Sequence, residues 1–132
     1  EIMQHPTASI ACDCGASISD RIHPRYWGSY PKVLGEYVRE KQQLSLENAI
    51  YKMSGLPAKT IGMEDRGVIR PGLMADLVVF DLETVIDHAT YDNPSLMSDG
   101  IIHTIVNGQI AWSNGEATSI QAGRVLRRSP LP

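Results

Sequence analysis

The stretch that most restricts how this chain can fold is Gly67-Val68-Ile69-Arg70-Pro71-Gly72-Leu73-Met74-Ala75-Asp76-Leu77-Val78-Val79-Phe80-Asp81. Leu77, Val78, Val79 and Phe80 form an unbroken aliphatic and aromatic run between two aspartates. Such a run suits a strand covered on both faces better than one half exposed to water. Ahead of it, Arg70-Pro71-Gly72 predicts a reversal. Proline presets φ at the second turn position, and glycine takes the positive φ that a type II turn needs at the third. On these residues alone the expected unit is a short strand, a turn and a buried strand.

A second hairpin is expected downstream in Ile105-Val106-Asn107-Gly108-Gln109-Ile110-Ala111-Trp112, because Asn-Gly between apolar runs is the strongest two-residue hairpin signal. The pattern G-x-I-x-P-G-x-x-A-D-L-V-V-F-D resembles the signature of the small β domain that ends many metal-dependent amidohydrolases, and the second hairpin resembles that domain's last one. Upstream residues narrow the likeness. Asp13, followed by His23-Pro24-Arg25-Tyr26-Trp27-Gly28-Ser29-Tyr30-Pro31 and Val33-Leu34-Gly35-Glu36-Tyr37-Val38-Arg39-Glu40, resembles the N-acyl-D-amino-acid deacylases, or D-aminoacylases. The resemblance runs through Arg124 and covers only the C-terminal end of such an enzyme.

The resemblance implies an α/β fold in two parts. Residues 1–62 would be the end of a (β/α)8 metal-dependent hydrolase barrel, with its last strand, a site loop and helices. Residues 63–132 would be part of a composite β-sandwich whose other strands come from the N-terminus of the enzyme. The implied activity is zinc-dependent hydrolysis of the amide bond of N-acyl-D-amino acids to a carboxylate and a D-amino acid. Asp13 takes the place of the catalytic aspartate at the end of the eighth barrel strand. His23 and Arg25 match the His-Pro-Arg segment that contacts substrate. A guanidinium can meet the substrate's α-carboxylate with two parallel hydrogen bonds. The family's metal-binding cysteine and histidines lie on earlier strands, so no metal ligand is expected here and none of Cys12, Cys14, His5 or His103 is assigned as one. One departure concerns the aspartate's neighbours. Where the family has Gly-Ser-Asp-Gly, this chain has Ala11-Cys12-Asp13-Cys14-Gly15, which keeps the register but narrows the loop.

Length agrees with a partial enzyme. The chain has 132 residues, whereas a complete barrel takes about 250. Glu1-Ile2-Met3-Gln4 shows neither an initiator nor a signal-peptide pattern, so a chain that starts inside a larger protein is expected, inactive by itself and binding no zinc. Composition adds exclusions. With a net charge of −3 and its arginine cluster (Arg124, Arg127, Arg128) confined to the tail, the chain shows no nucleic-acid footprint. No apolar run approaches the roughly 20 residues of a membrane span. Cys12 and Cys14, at alternate positions of one expected strand, are poorly placed to bridge and should pack as small hydrophobes. A reducing cytoplasm is the default for such cysteine usage.

In chain order, residues 7–13 read as a strand of small side chains ending at Asp13, with Cys12 and Cys14 on the face opposite the aspartate. On local grounds alone Asp13 reads more readily as a turn or cap residue than as a catalytic one. Residues 17–31 read as a loop carrying Asp20, Arg21, His23, Arg25, Tyr26, Trp27 and Tyr30. Such density fits a site wall, or aromatic plugs with His23 bonded to backbone. Pro31 fits the first turn of a helix burying Val33, Leu34, Tyr37 and Val38 and ending near Gln42. Ser45 predicts the N-cap of a second helix that buries Leu46, Ala49, Ile50 and Met53 and stops at Gly55. Residues 57–62 predict a third, capped by Gly62. Residues 84–99 read as a polar excursion whose carboxylates match no calcium loop. His103 reads as structural, and Asn114-Gly115-Glu116 as a final turn.

Two other function classes fit these residues: an amidohydrolase of cyclic amides, in the manner of dihydroorotases and hydantoinases, and a non-enzymatic β assembly module in which Asp13 is only a cap. For either, a small-molecule or protein partner is implied rather than nucleic acid or membrane. Unpaired sheet edges predict self-association of the isolated chain.

Overall fold

The computed structural model describes residues 1–15 and 22–127. Pro24, not Pro31, opens the first helix, α1, Arg25–Lys32, so the second half of the expected loop is helical. The part of that loop at 16–21 lies outside the described residues. Pro31 sits inside α1 and has no N–H to donate to the carbonyl one turn back. That carbonyl belongs to Trp27, and the Ser98 hydroxyl donates to it at 3.5 Å. The helix runs on as a π-helical segment, Val33–Glu40, closed by the Lys41 N–H on the Glu36 carbonyl at 2.8 Å. Val33, Leu34 and Val38 are buried, as their spacing predicts.

Helix α2, Leu46–Met53, begins at Ser45, whose hydroxyl accepts the Asn48 N–H at 3.3 Å. Ala49 is fully buried, and Leu46 and Met53 pack against the core. Ile50 is exposed, contrary to the expectation: one residue on from Ala49 it is turned about 100° away from the buried stripe. Helix α3, Gly55–Ile61, ends in Gly62 at φ +76, a left-handed conformation that glycine enters without steric cost. The expected strand at 7–13 does not form. A strand needs a neighbouring edge, and this segment instead lies along α2, where the Ile10 N–H donates to the Lys52 carbonyl at 2.9 Å.

The second half is one antiparallel sheet in the order β1-β2-β3-β4: Leu77–Phe80, Ile101–Val106, Gln109–Ser113 and Glu116–Ala117. Leu77 faces Ile105 and Val79 faces His103 across β1 and β2. Asn107-Gly108 and Asn114-Gly115 both have two successive positive φ angles, which the tight hairpin turn requires. Arg70-Pro71-Gly72 also turns as expected, with the Leu73 N–H on the Arg70 carbonyl at 3.2 Å and Gly72 at φ +89. The strand expected before that turn is irregular, however, so β1 pairs with β2 and not with residues 67–70. Val78 and Val79 are exposed, so the described residues do not cover β1 on both faces.

The two halves meet through residues 82–87. Val85 is fully buried, and its carbonyl lies where a Cβ at Gly35 would stand only 2.5 Å away, so the π-helical segment approaches by virtue of a glycine. Arg39 secures the contact, its Nη1 donating to the carbonyls of Leu82 at 3.0 Å and Val85 at 2.6 Å. His103 sits within β2 with its Nδ1 buried and unpaired among the described residues. No described helix is long and apolar enough to cross a membrane.

Candidate active site

Asp13 lies at the surface between two cysteines that form a disulfide. The expectation that they would not bridge rested on an extended strand, where Cα atoms two apart are separated by about 6.6 Å. Asp13 instead adopts φ +50, which folds the chain back and brings the Cα atoms of Cys12 and Cys14 to 5.1 Å, inside the span a disulfide bridges. The cysteines are therefore not packed thiols. Cysteine usage in this chain therefore does not point to a reducing compartment.

Helix α1 starts under Asp13 and presents Arg25 to it. Arg25 Nη2 and Asp13 Oδ2 are 2.5 Å apart, with the two side chains 41% and 85% exposed. Solvent at both partners keeps the stabilising value of such a pair small, under about 1 kcal/mol. Its meaning is positional: the sequence separates these residues by a stretch of loop, and the fold brings them into contact.

His23 stands just ahead of the helix. Its Nδ1 accepts the Arg25 N–H at 3.1 Å, satisfying one of the donors that a helix start leaves free. With Nδ1 accepting, the neutral ring carries its proton on Nε2, assigned from this network, and donates it to the Tyr91 hydroxyl at 3.1 Å. The Tyr91 ring meets His23 edge-on, with centroids 5.2 Å apart at 77°. Tyr91 comes from the polar excursion, and a lone aromatic in a polar stretch is the only sequence signal that marked it. Gly28, one turn into α1, is buried against the Asp87 carboxylate, which would clash with any Cβ there. Asp87 in turn accepts the Ala89 N–H at 2.8 Å, so the excursion is held against the helix that carries Arg25.

The arrangement is an open surface. A hollow of about 650 Å³ elsewhere is lined by Ile2, Met3, Tyr37, Gln43 and Leu44 and touches none of Asp13, His23 and Arg25. No three His, Cys, Asp or Glu side chains among the described residues are gathered in the way a metal ion requires. The cysteine sulfurs, bonded to each other, offer no thiolate.

Comparison with known proteins places these residues in a family. The model of the amidohydrolase family matches residues 1–112. An N-acyl-D-glutamate deacylase from Alcaligenes xylosoxydans xylosoxydans is 46% identical over 127 residues, covering 96% of this chain and 26% of that protein. The crystal structure of a D-aminoacylase superposes with a TM-score of 0.80 at 47% identity, over 82% of this chain and 23% of that one. An N-acyl-D-glutamate deacylase from Bordetella bronchiseptica, complexed with zinc and a phosphonate inhibitor, gives 0.75 at 48% identity, over 81% and 22%. The chain thus spans about a quarter of the length of the relatives it matches. With most of its length matched by the family model and its fold shared with a solved relative, the chain belongs to the amidohydrolase family.

Proposed function

We propose that this chain is the C-terminal part of a zinc-dependent amidohydrolase that hydrolyses the amide bond of N-acyl-D-amino acids, releasing a carboxylate and a D-amino acid. Residues 1–62 contribute the end of the (β/α)8 barrel with its site loop, and residues 63–132 contribute part of the small β-sandwich. The observation that carries the reading is the contact between Arg25 and Asp13, because it brings together a carboxylate-binding guanidinium and a carboxylate able to serve as a base once the pair opens. Similarity to two deacylases of N-acyl-D-glutamate supports the substrate class.

In this reading Asp13 accepts a proton from the attacking water and returns it to the departing nitrogen, so the carboxylate is regenerated in each cycle. Arg25 holds the substrate's α-carboxylate, which fixes the scissile amide relative to Asp13. His23 keeps the first turn of α1 in place and, through Tyr91, ties the polar excursion to it. Among the described residues no three His, Cys, Asp or Glu side chains gather as a metal site; in this reading the ligands of a zinc ion such as the Bordetella relative binds lie on earlier strands of the enzyme, and no step is derived through it.

The test is a substrate panel with the full-length enzyme. N-acyl-D-amino acids, their L-enantiomers, their carboxamide analogues and cyclic amides are compared by kcat/KM. The reading requires preference for the D-acid with a free carboxylate; preference for dihydroorotate-like or hydantoin-like rings overturns it.

A further inference from the structure

Four non-glycine residues among those described have positive φ: Asp13, Gln42, Asn107 and Asn114. The two asparagines sit in tight hairpin turns, where that conformation is habitual. Asp13 has no hairpin around it. What brackets it is the bond between Cys12 and Cys14, which closes a small ring with Asp13 at its apex. Cys14 and Asp13 are both exposed, and the Cys14 sulfur lies 3.7 Å from the Arg25 carbonyl. In that closed state the Asp13 carboxylate occupies Arg25, the guanidinium that a substrate carboxylate would need.

We infer that Cys12 and Cys14 form a reversible disulfide/dithiol switch that sets whether Asp13 is held on Arg25. Its consequence for catalysis rests on the function proposed above; the thiol chemistry does not. The reductant is a monothiol of the glutathione class. A first thiolate attacks the Cys14 sulfur, the Cys12–Cys14 bond breaks with its electron pair going to Cys12, and Cys14 carries a mixed disulfide. A second thiolate attacks the thiol-derived sulfur of that mixed disulfide and frees Cys14. The products are two cysteine thiols, each taking one proton, and one glutathione disulfide, a two-electron exchange in all. Opening the ring removes the constraint at Asp13, which returns to extended backbone with its side chain away from the cysteines. Arg25 is then free for substrate. The disulfide form is the restrained state, the dithiol form the receptive one.

Because the bond and the ion pair favour each other, removing one must weaken the other by the same factor. The experiment equilibrates the full-length protein in reduced and oxidised glutathione at a series of ratios, traps thiols by alkylation and counts the Cys12–Cys14 peptide in both forms by mass spectrometry. Arg25→Gln and Arg25→Ala are run beside the unmodified protein, with circular dichroism to verify folding. The expected result is a reversible transition whose disulfide/dithiol ratio, at fixed glutathione, falls about two- to five-fold in both variants, the size of an exposed ion pair. In parallel, KM for an N-acyl-D-amino acid drops by a similar factor on reduction, and the Cys12→Ser/Cys14→Ser double variant no longer responds to the redox buffer. Cysteines that stay reduced throughout, or a ratio that is the same with and without Arg25, overturn the switch. A normal redox transition that shifts with Arg25, in a protein that cleaves no N-acyl-D-amino acid in either state, upholds the switch and overturns the proposed function instead.

Discussion

Lys52 donates from Nζ to the carbonyl of Ala8 at 3.0 Å, while its own carbonyl accepts the N–H of Ile10 at 2.9 Å. A second bond from Nζ goes to the His5 carbonyl. Lys52 is 4% exposed, so this is a cation taken into the fold to bind backbone, and it ties α2 to the segment that ends at Asp13. Lys52→Met keeps the length and loses the donors, leaving two carbonyls without their partner. The expected cost is about 1–3 kcal/mol of stability, read as a lower urea midpoint for the full-length enzyme.

Asp13→Asn preserves shape and hydrogen-bonding reach but removes the base. With zinc content verified, kcat is expected to fall by roughly 10²- to 10⁴-fold with little change in melting temperature. Near-normal turnover would return Asp13 to the role of a loop residue.

Arg25→Lys separates binding from chemistry. Lysine keeps the charge and loses the planar fork, so KM for free-carboxylate substrates should rise about tenfold while kcat changes little. Substrates whose carboxylate is blocked as an amide should be indifferent to the change; a uniform loss on both kinds would remove Arg25 from carboxylate recognition.

Acid should loosen two surface ties. Hydrogen bonding from Lys41 holds the Glu36 carboxyl below its ordinary 4.5, and hydrogen bonding from Arg66 holds Asp65 below its ordinary 3.8. Because the folded values are the lower ones, the folded state binds these protons less readily than the unfolded chain does. Their contribution is fully present above those ordinary values and fades as pH falls through the folded ones. Asp65 is exposed and the Glu36 side chain is 28% exposed, so water screens both and the effect is modest. Glu36→Gln should lower the melting temperature by a small constant amount above about pH 6 and flatten the acid limb, so that the variant and the unmodified protein converge at low pH.

The isolated 132-residue chain is expected to self-associate, since Val78 and Val79 of β1 are exposed and the edges of the sheet are unpaired by other described strands. Light scattering over micromolar concentrations should show species larger than a monomer. Val78→Lys, placing a charge on that strand, should reduce them.

Features specified within a few residues of each other could be read directly from the sequence. Ser45 caps α2 because a hydroxyl two residues ahead of a helical Glu-Asn pair can reach the Asn48 N–H; Gly62 ends α3 because only glycine takes its φ cheaply. Asn107-Gly108 turns one hairpin for the same conformational reason. Asp13 and Arg25 were singled out through their resemblance to a family pattern, though no local rule says that the two should touch.

Tertiary structure decided whatever depended on a partner distant in sequence. Whether residues 7–13 are a strand depends on an available edge; here α2 and Lys52 took up their backbone groups instead. Cys12 and Cys14 bridge because of one dihedral at Asp13, and residue type leaves that dihedral open. Tyr91 reaches His23 across 68 positions only because Asp87 and Val85 seat the excursion on Gly28 and Gly35. Asp76, seen in the sequence only as the boundary of a strand, binds both Arg66 and the N–H of Asn107, while Arg124 returns to the Asn107 side chain at 2.9 Å. Short-range conformational preferences are set by a residue and its neighbours, so they survive in the linear text. Long-range pairings arise from the competition among all buried surfaces and polar groups for partners, and that competition is settled only when the chain is folded.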